Sequence, residues 1–401
     1  MTATPAALHR NYEPVDARHD WTEVAVDGVL PRTLAGTYVR NGPNRGRDEP
    51  RGLWFTGPGM LHAVRIEAGR AWYGCRRVGT VDAPASAGLV RHGEALLALS
   101  DFGAAVRVDA RTLAPLGADA PRTVPHAVVM PASGALVTLA TDWDGDDVRI
   151  VERGRDGSWR QRGCIALPAR PFLHDVALVD DRLVVLDLPW RRGPHGPRWV
   201  PEHGARVGLT DLDGRDTRWF DVTAGYVSHV AATRRDGDTV EVDVCRRPVP
   251  GVSRDESNPY DHGPASLRRW TIDLSTGRVR EDDVDARACD FPVPSVDGAA
   301  VYVTRPAFDN YTVAGAVARV DLRTGAVTSF DFGPARLGGE VQAVATGDGS
   351  EVLVGFVYDT ASEGSELVVL DASRPADAPL ATIAVPGRVP WGLHGTWLAG
   401  V

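Results

Sequence analysis

Lysine is missing from these 401 residues: all 44 basic residues are arginine. We attribute this to genome composition rather than to chemistry. Cysteine is scarce. Cys75, Cys164, Cys245 and Cys289 lie far apart and form no CxxC pair, which predicts mostly buried free thiols in a reducing compartment. No run of about 18 apolar residues occurs, so no transmembrane helix is expected. The opening MTATPAALHRNYEP has no basic stretch followed by an apolar one. A secretory leader is therefore not expected, and the cytoplasm is. There is no GxSxG elbow, no GxGxxG after a strand and no P-loop, so hydrolase, dinucleotide and NTPase readings lack support. A net charge of −9 argues against nucleic acid as a partner.

Glycine (43) and proline (29) are plentiful. They punctuate many short runs that alternate apolar with polar residues. AVVMPASGALVTLATDWDGDDVRIVERG and SEVLVGFVYDTASEGSELVVLDA read as strand–turn–strand units, with Asp-Gly and Gly-Asp as hairpin signals. DLSTG and DLRTG mark further hairpins. No long amphipathic helix is evident, so the class is all-β. We read residues 1–30 as an arm wrapping the body. The segments 191–204 and 249–266 read as loops over one face. No composition break divides the chain, and residues 1–401 are expected to form one domain.

Four of the eleven histidines open short apolar runs: His126 in TVPHAVVM, His174 in PFLHDVALV, His229 in GYVSHVAAT and His394 in VPWGLHGTWL. The intervals are 48, 55 and 165 residues, the last being three times 55. Asp290 and Glu340 fall on nearly the same beat inside the long gap. A strand-rich period near 50 residues predicts a β-propeller whose blades each start beside a shared axis. Four imidazoles meeting there would form a nitrogen-only metal site, suited to Fe, Zn, Cu or Ni. The competing reading is four unrelated histidines at strand ends.

Several segments resemble the carotenoid cleavage oxygenases: RNGPN (40–44), WFTGPGMLHAVR (54–65), FLHDVALV, GYVSHVA, DFP and VPWGLHGTW, in that order. The resemblance runs from about residue 12 to the end. It implies a seven-bladed propeller holding Fe(2+) through His126, His174, His229 and His394. It further implies three carboxylates behind the rings, Asp101, Asp290 and Glu340. Two are one methylene shorter than the family's glutamates, so longer or water-bridged contact with the rings is expected. Ala87 stands where the family has a threonine beside an open coordination position. Phe172, Phe291 and Trp391 are candidate pocket residues, with core packing the favoured reading for each. His62 matches a family position as a structural residue. His9, His19, His92, His195, His203 and His262 are assigned to loops, turns or the arm. The family's apolar insertion is almost absent between Arg77 and Leu89, so at most weak membrane contact is expected. A lysine that could grip a phenol cannot exist here; an arginine or tyrosine would have to replace it. The implied activity is O2-dependent cleavage of a conjugated alkene into two carbonyl products. The alternatives are isomerisation or mono-oxygenation at the same iron, or a non-catalytic ligand-binding propeller. The partners expected are a small unsaturated substrate and O2, with a monomer or small homo-oligomer as the assembly.

Overall fold

The computed structural model describes residues 10–15, 18–46, 48–49, 54–142, 145–193, 196–249, 264–307 and 313–401. Six antiparallel sheets of at least four strands account for nearly all regular structure among the described residues, the largest, of ten strands, joining blades 6 and 7. Blade 1 holds Gly36–Pro43, Gly59–Glu67 and Arg70–Arg77, with Gly395–Ala399 added along Gly36–Pro43. Blade 2 runs from Leu89–His92 to Pro115–Arg122, and blade 3 from Val128–Val129 to Trp159–Ala166. Blade 4 begins at Ala177–Val179 and blade 5 at Tyr226–Asp236. Blade 6 begins at Asp290–Pro294 and blade 7 at Gln342–Ala345.

Each blade interface is filled by its own apolar cluster. Leu61 and Ala63 meet Leu96 and Ala98 between blades 1 and 2. Leu97 and Leu99 meet Leu136 between blades 2 and 3. Leu139 packs with Val185, and Val207 with Trp270. Leu267 packs with Val303, Val317 with Leu353, and Val354 with Val64. The seventh cluster joins blade 7 to blade 1, so the packing runs round a ring: a seven-bladed β-propeller.

This packing explains why the strands read as apolar on both faces. In Thr239–Arg247, Val240, Val242 and Val244 face blade 4, while Cys245 faces blade 6. The period of two divides alternate residues between two neighbours rather than between core and water. Buried Asp243 between them is taken up by Arg269, at 2.7 and 2.9 Å. The outer turns follow the predicted chemistry. Asp273 and Asp321 each accept hydrogen bonds from the backbone two and three residues on, the Asx turn that lets Asp-x-x-Gly reverse a chain.

Two expectations are corrected. The arm contains strands: His19–Val24 adds to the outer edge of blade 1 and Val26–Gly28 to that of blade 7. Edge strands borrow an existing ladder, so they form with little burial of their own. Segment 191–204 contains a hairpin, Trp190–Gly193 paired with Gly196–Trp199, followed by a short 3-10 turn. Most of segment 249–266 lies outside the described residues.

Candidate metal centre

The seven blades bring one position each to the same end of the axis. His394 immediately precedes the inner strand of blade 1, and Ala87 that of blade 2. His126 and His174 stand just before the inner strands of blades 3 and 4, and His229 is inside that of blade 5. Asp290 opens the inner strand of blade 6, and Glu340 precedes that of blade 7.

The four imidazoles converge. One ring nitrogen from each lies within 4.8 Å of the others, and ring centroids are 4.5 to 5.4 Å apart for the five pairs in contact. Three rings are oriented from behind. His174 Nδ1 donates to Asp101 Oδ1 at 3.0 Å, His229 Nδ1 to Asp290 Oδ1 at 2.7 Å, and His394 Nδ1 to Glu340 Oε2 at 2.7 Å. A carboxylate on Nδ1 places the ring proton there and leaves Nε2 with a lone pair. The contacts of Asp101 and Asp290 are direct, so the expected lengthening or water bridge does not occur.

The fourth ring differs. His126 Nδ1 lies 3.9 Å from Asp175 Oδ1, too far for a hydrogen bond. Asp175 is instead engaged by the backbone N–H groups of Val176 and Val230, both at 2.7 Å. Burial, reinforced by His394, His174 and His229, holds the His126 imidazole well below its ordinary pKa. Burial also draws His229 down against the pull of Asp290. On His174 burial acts in the same sense, but Asp101 outweighs it and the net shift is upward.

The donors fit a single cation. His229 Nε2 and His394 Nε2 face each other at 3.2 Å, and buried His126 Nε2 has no hydrogen-bond partner. Lone pairs so arranged repel and remain unsatisfied unless a positive ion lies among them. The fold thus builds a four-nitrogen metal site.

Several residues that complete the site carried no pattern that could be read in advance. Asp290 also accepts from Ser228 Oγ at 2.8 Å, from Arg247 Nη2 and from the Phe291 backbone N–H at 2.9 Å. Burial raises the Asp290 carboxyl, but His229 and Arg247 override it and hold the group far below the carboxylate range. Phe291 itself has φ +51°, a strained left-handed backbone for a bulky residue. That turn sets its ring 5.3 Å from both His229 and His394. The RNGPN motif braces the last histidine. Asn41 N–H donates to His394 O at 2.9 Å, and its side chain reaches Ala85 O at 2.9 Å.

Beside the imidazoles lies a cavity with about 810 Å³ of empty space, mouth included. Phe172, Phe291 and Ala87 line it, together with Phe55, Phe102 and Trp190. Trp391 is not among the lining residues, a correction to its candidacy. It packs behind Phe291 against Trp54 and Tyr12, with ring centroids at 4.8 and 5.4 Å. Of the other histidines, His62 Nδ1 is buried against Tyr73 Oη at 2.8 Å, a structural role. His92 ends a strand and is buried against Arg153 and Gly134. His19 lies in the edge strand, and His203 bonds Asp187 at 3.2 Å. His9, His195 and His262 fall outside the described residues.

Fold and site together define a seven-bladed propeller with an axial four-histidine centre. The profile of the family described as retinal pigment epithelial membrane protein, RPE65, matches residues 12–83 and 79–399, and the chain belongs to that family. It is 27% identical over 506 aligned positions to a carotenoid cleavage oxygenase of Mycobacterium tuberculosis, with 99% of each chain covered. It is 26% identical over 474 positions to the apocarotenoid-15,15'-oxygenase of Synechocystis, covering 98% of this chain and 96% of that protein. The crystal structure of a cobalt-substituted Synechocystis oxygenase superposes with a TM-score of 0.89 at 24% identity, over 99% of both chains. The resemblance read from the motifs is thereby borne out. No helix among the described residues is long and apolar enough to cross a membrane.

Proposed function

We propose that the chain is a non-haem iron oxygenase that cleaves a carbon–carbon double bond of a conjugated alkene with O2, one oxygen atom entering each carbonyl product. The observation that carries this reading is the convergence of four imidazoles beside an aromatic-lined cavity. His126, His174, His229 and His394 would hold the ion. Bound there, iron(II) would supply the activation of O2 that a closed-shell alkene otherwise lacks. The protein's own part is positional. Asp101, Asp290 and Glu340 keep the ring protons on Nδ1. The aromatic lining binds a flat conjugated chain and excludes water. Ala87 is the smallest side chain that could border the ion and leaves room beside it for O2 and substrate. Four free cysteines, three of them buried, are consistent with a reducing cytoplasm. We retain one domain and a monomer or small homo-oligomer as part of the reading.

The test is to load the protein with Fe(II) without oxygen and supply conjugated alkenes under 18O2. Two labelled carbonyl fragments are the expected result. A rearranged product without label would replace cleavage by isomerisation. Protein that takes up no stoichiometric iron would sink the reading altogether.

A further inference from the structure

The cavity wall has an order. Ring centroids succeed one another from Phe55 to Phe102 at 5.4 Å, to Phe172 at 6.2 Å, to Trp190 at 6.3 Å and to Tyr226 at 6.1 Å. This band suits a planar conjugated body. It ends on polar groups: Tyr226, Ser228 and Arg247 also line the cavity.

Arg247 is the one arginine among the described lining residues, and its side chain is only 4% exposed. A guanidinium carries five N–H donors. Nη2 donates to Asp290 Oδ2 and, at 3.4 Å, to Ser228 Oγ. Nε is buried without a partner, and Nη1 makes no hydrogen bond among the described residues. The Tyr226 hydroxyl likewise makes none among them. Of these Nε is the buried one, and a buried donor left unspent is costly unless a ligand accepts it, while Nη1 and the hydroxyl are free to turn to a ligand. Two carboxylates border the cavity: Asp290 is compensated by Arg247, His229, Ser228 and the Phe291 N–H, whereas Asp101 has only His174 among the described residues and disfavours an anion beside itself. The Arg247 end is thus where an acidic group fits.

We propose that this cavity takes a conjugated alkene ending in a carboxylate, received by Arg247 with the Tyr226 hydroxyl while the ring band holds the conjugated body. The planar guanidinium fork matches two carboxylate oxygens better than a single phenol oxygen. The proposal rests on the reading of the cavity as an alkene site, but its test reads affinity rather than turnover.

Binding of trans-cinnamate, its methyl ester and 4-vinylphenol to the metal-loaded protein is measured by quenching of tryptophan fluorescence. Cinnamate is expected to bind at least tenfold more tightly than the ester. Arg247→Gln should bring the acid-to-ester ratio to about one, and Arg247→Lys should leave an intermediate ratio. Because Arg247 also touches Asp290, metal content is measured on each variant. Tyr226→Phe, which leaves Asp290 alone, should weaken cinnamate several-fold and the ester hardly at all. A ratio near one in the parent protein, a ratio that survives Arg247→Gln, or tightest binding by the phenol overturns the proposal. Preferential acid binding without cleavage of any alkene would instead defeat the oxygenase reading and leave this one standing.

Discussion

Asp290 is a short acid with four donors on it: His229, Ser228, Arg247 and the Phe291 backbone. A charge so heavily hydrogen-bonded stays ionised and fixed in place, which a ring-orienting carboxylate requires. Asp290→Asn should therefore weaken iron binding by roughly 10- to 100-fold, read by competition with a chromogenic chelator. His229→Ala should remove iron retention entirely in the same assay. His92→Ala should keep full iron per folded molecule yet melt earlier. It strands Arg153 Nη1 and Gly134 O, at a cost of about 1–3 kcal/mol. Equal midpoints for that variant and the parent would contradict the burial argument. At this scale the ligands were legible because a metal site needs particular residue types on a particular beat. His92 was not, because nothing in its neighbours along the chain marks it as interior. Arg247 and Ser228 were hidden for the related reason that only folding brings them to Asp290. Trp391 was misplaced by assuming that a neighbour of His394 in sequence shares its cavity.

The elements that enter the axis are pressed together without room for side chains. A Cβ on Gly88 would lie 1.8 Å from Pro125 O, where the chain approaches His126. A Cβ on Gly42 would lie 2.6 Å from the Gly392 Cα, two residues before His394. Gly88→Ala must push the His126 loop away, and overpacking of this kind costs about 1–3 kcal/mol or more. The expected outcome is a lower unfolding midpoint together with loss of iron. A variant that holds iron normally would show that the loop yields without moving the ring. Hairpins were the most legible elements, since Asx turns and Gly at fixed offsets encode the reversal locally. The strands at 19–24 and 26–28 were missed although HDWTEV does alternate. An edge strand has one neighbour and one half-buried face, so its signal is weak.

The molecule as a whole is held by seven apolar clusters between blades, whose burial does not depend on an ion. Fold and ion are therefore separable. Stripping the metal with a chelator should leave the β-type circular dichroism unchanged and lower the midpoint by only the binding contribution, about 2.7 kcal/mol at a hundredfold excess over Kd. Unfolding on chelation would contradict it. The architecture was readable from the repeat, whereas the closure of the ring between blades 7 and 1 is set by packing that no local pattern declares. Gly395–Ala399 completes blade 1 by pairing with Gly36–Pro43, across more than 350 residues of chain. His394 sits at the head of that strand. A ribosome thus emits three of the imidazoles well before the fourth, and the pocket for the ion is finished only when Gly395–Ala399 clasps Gly36–Pro43. Maturation of the centre waits on that closing strand, so a polypeptide not yet grown past residue 394 has no complete nitrogen set with which to capture metal prematurely.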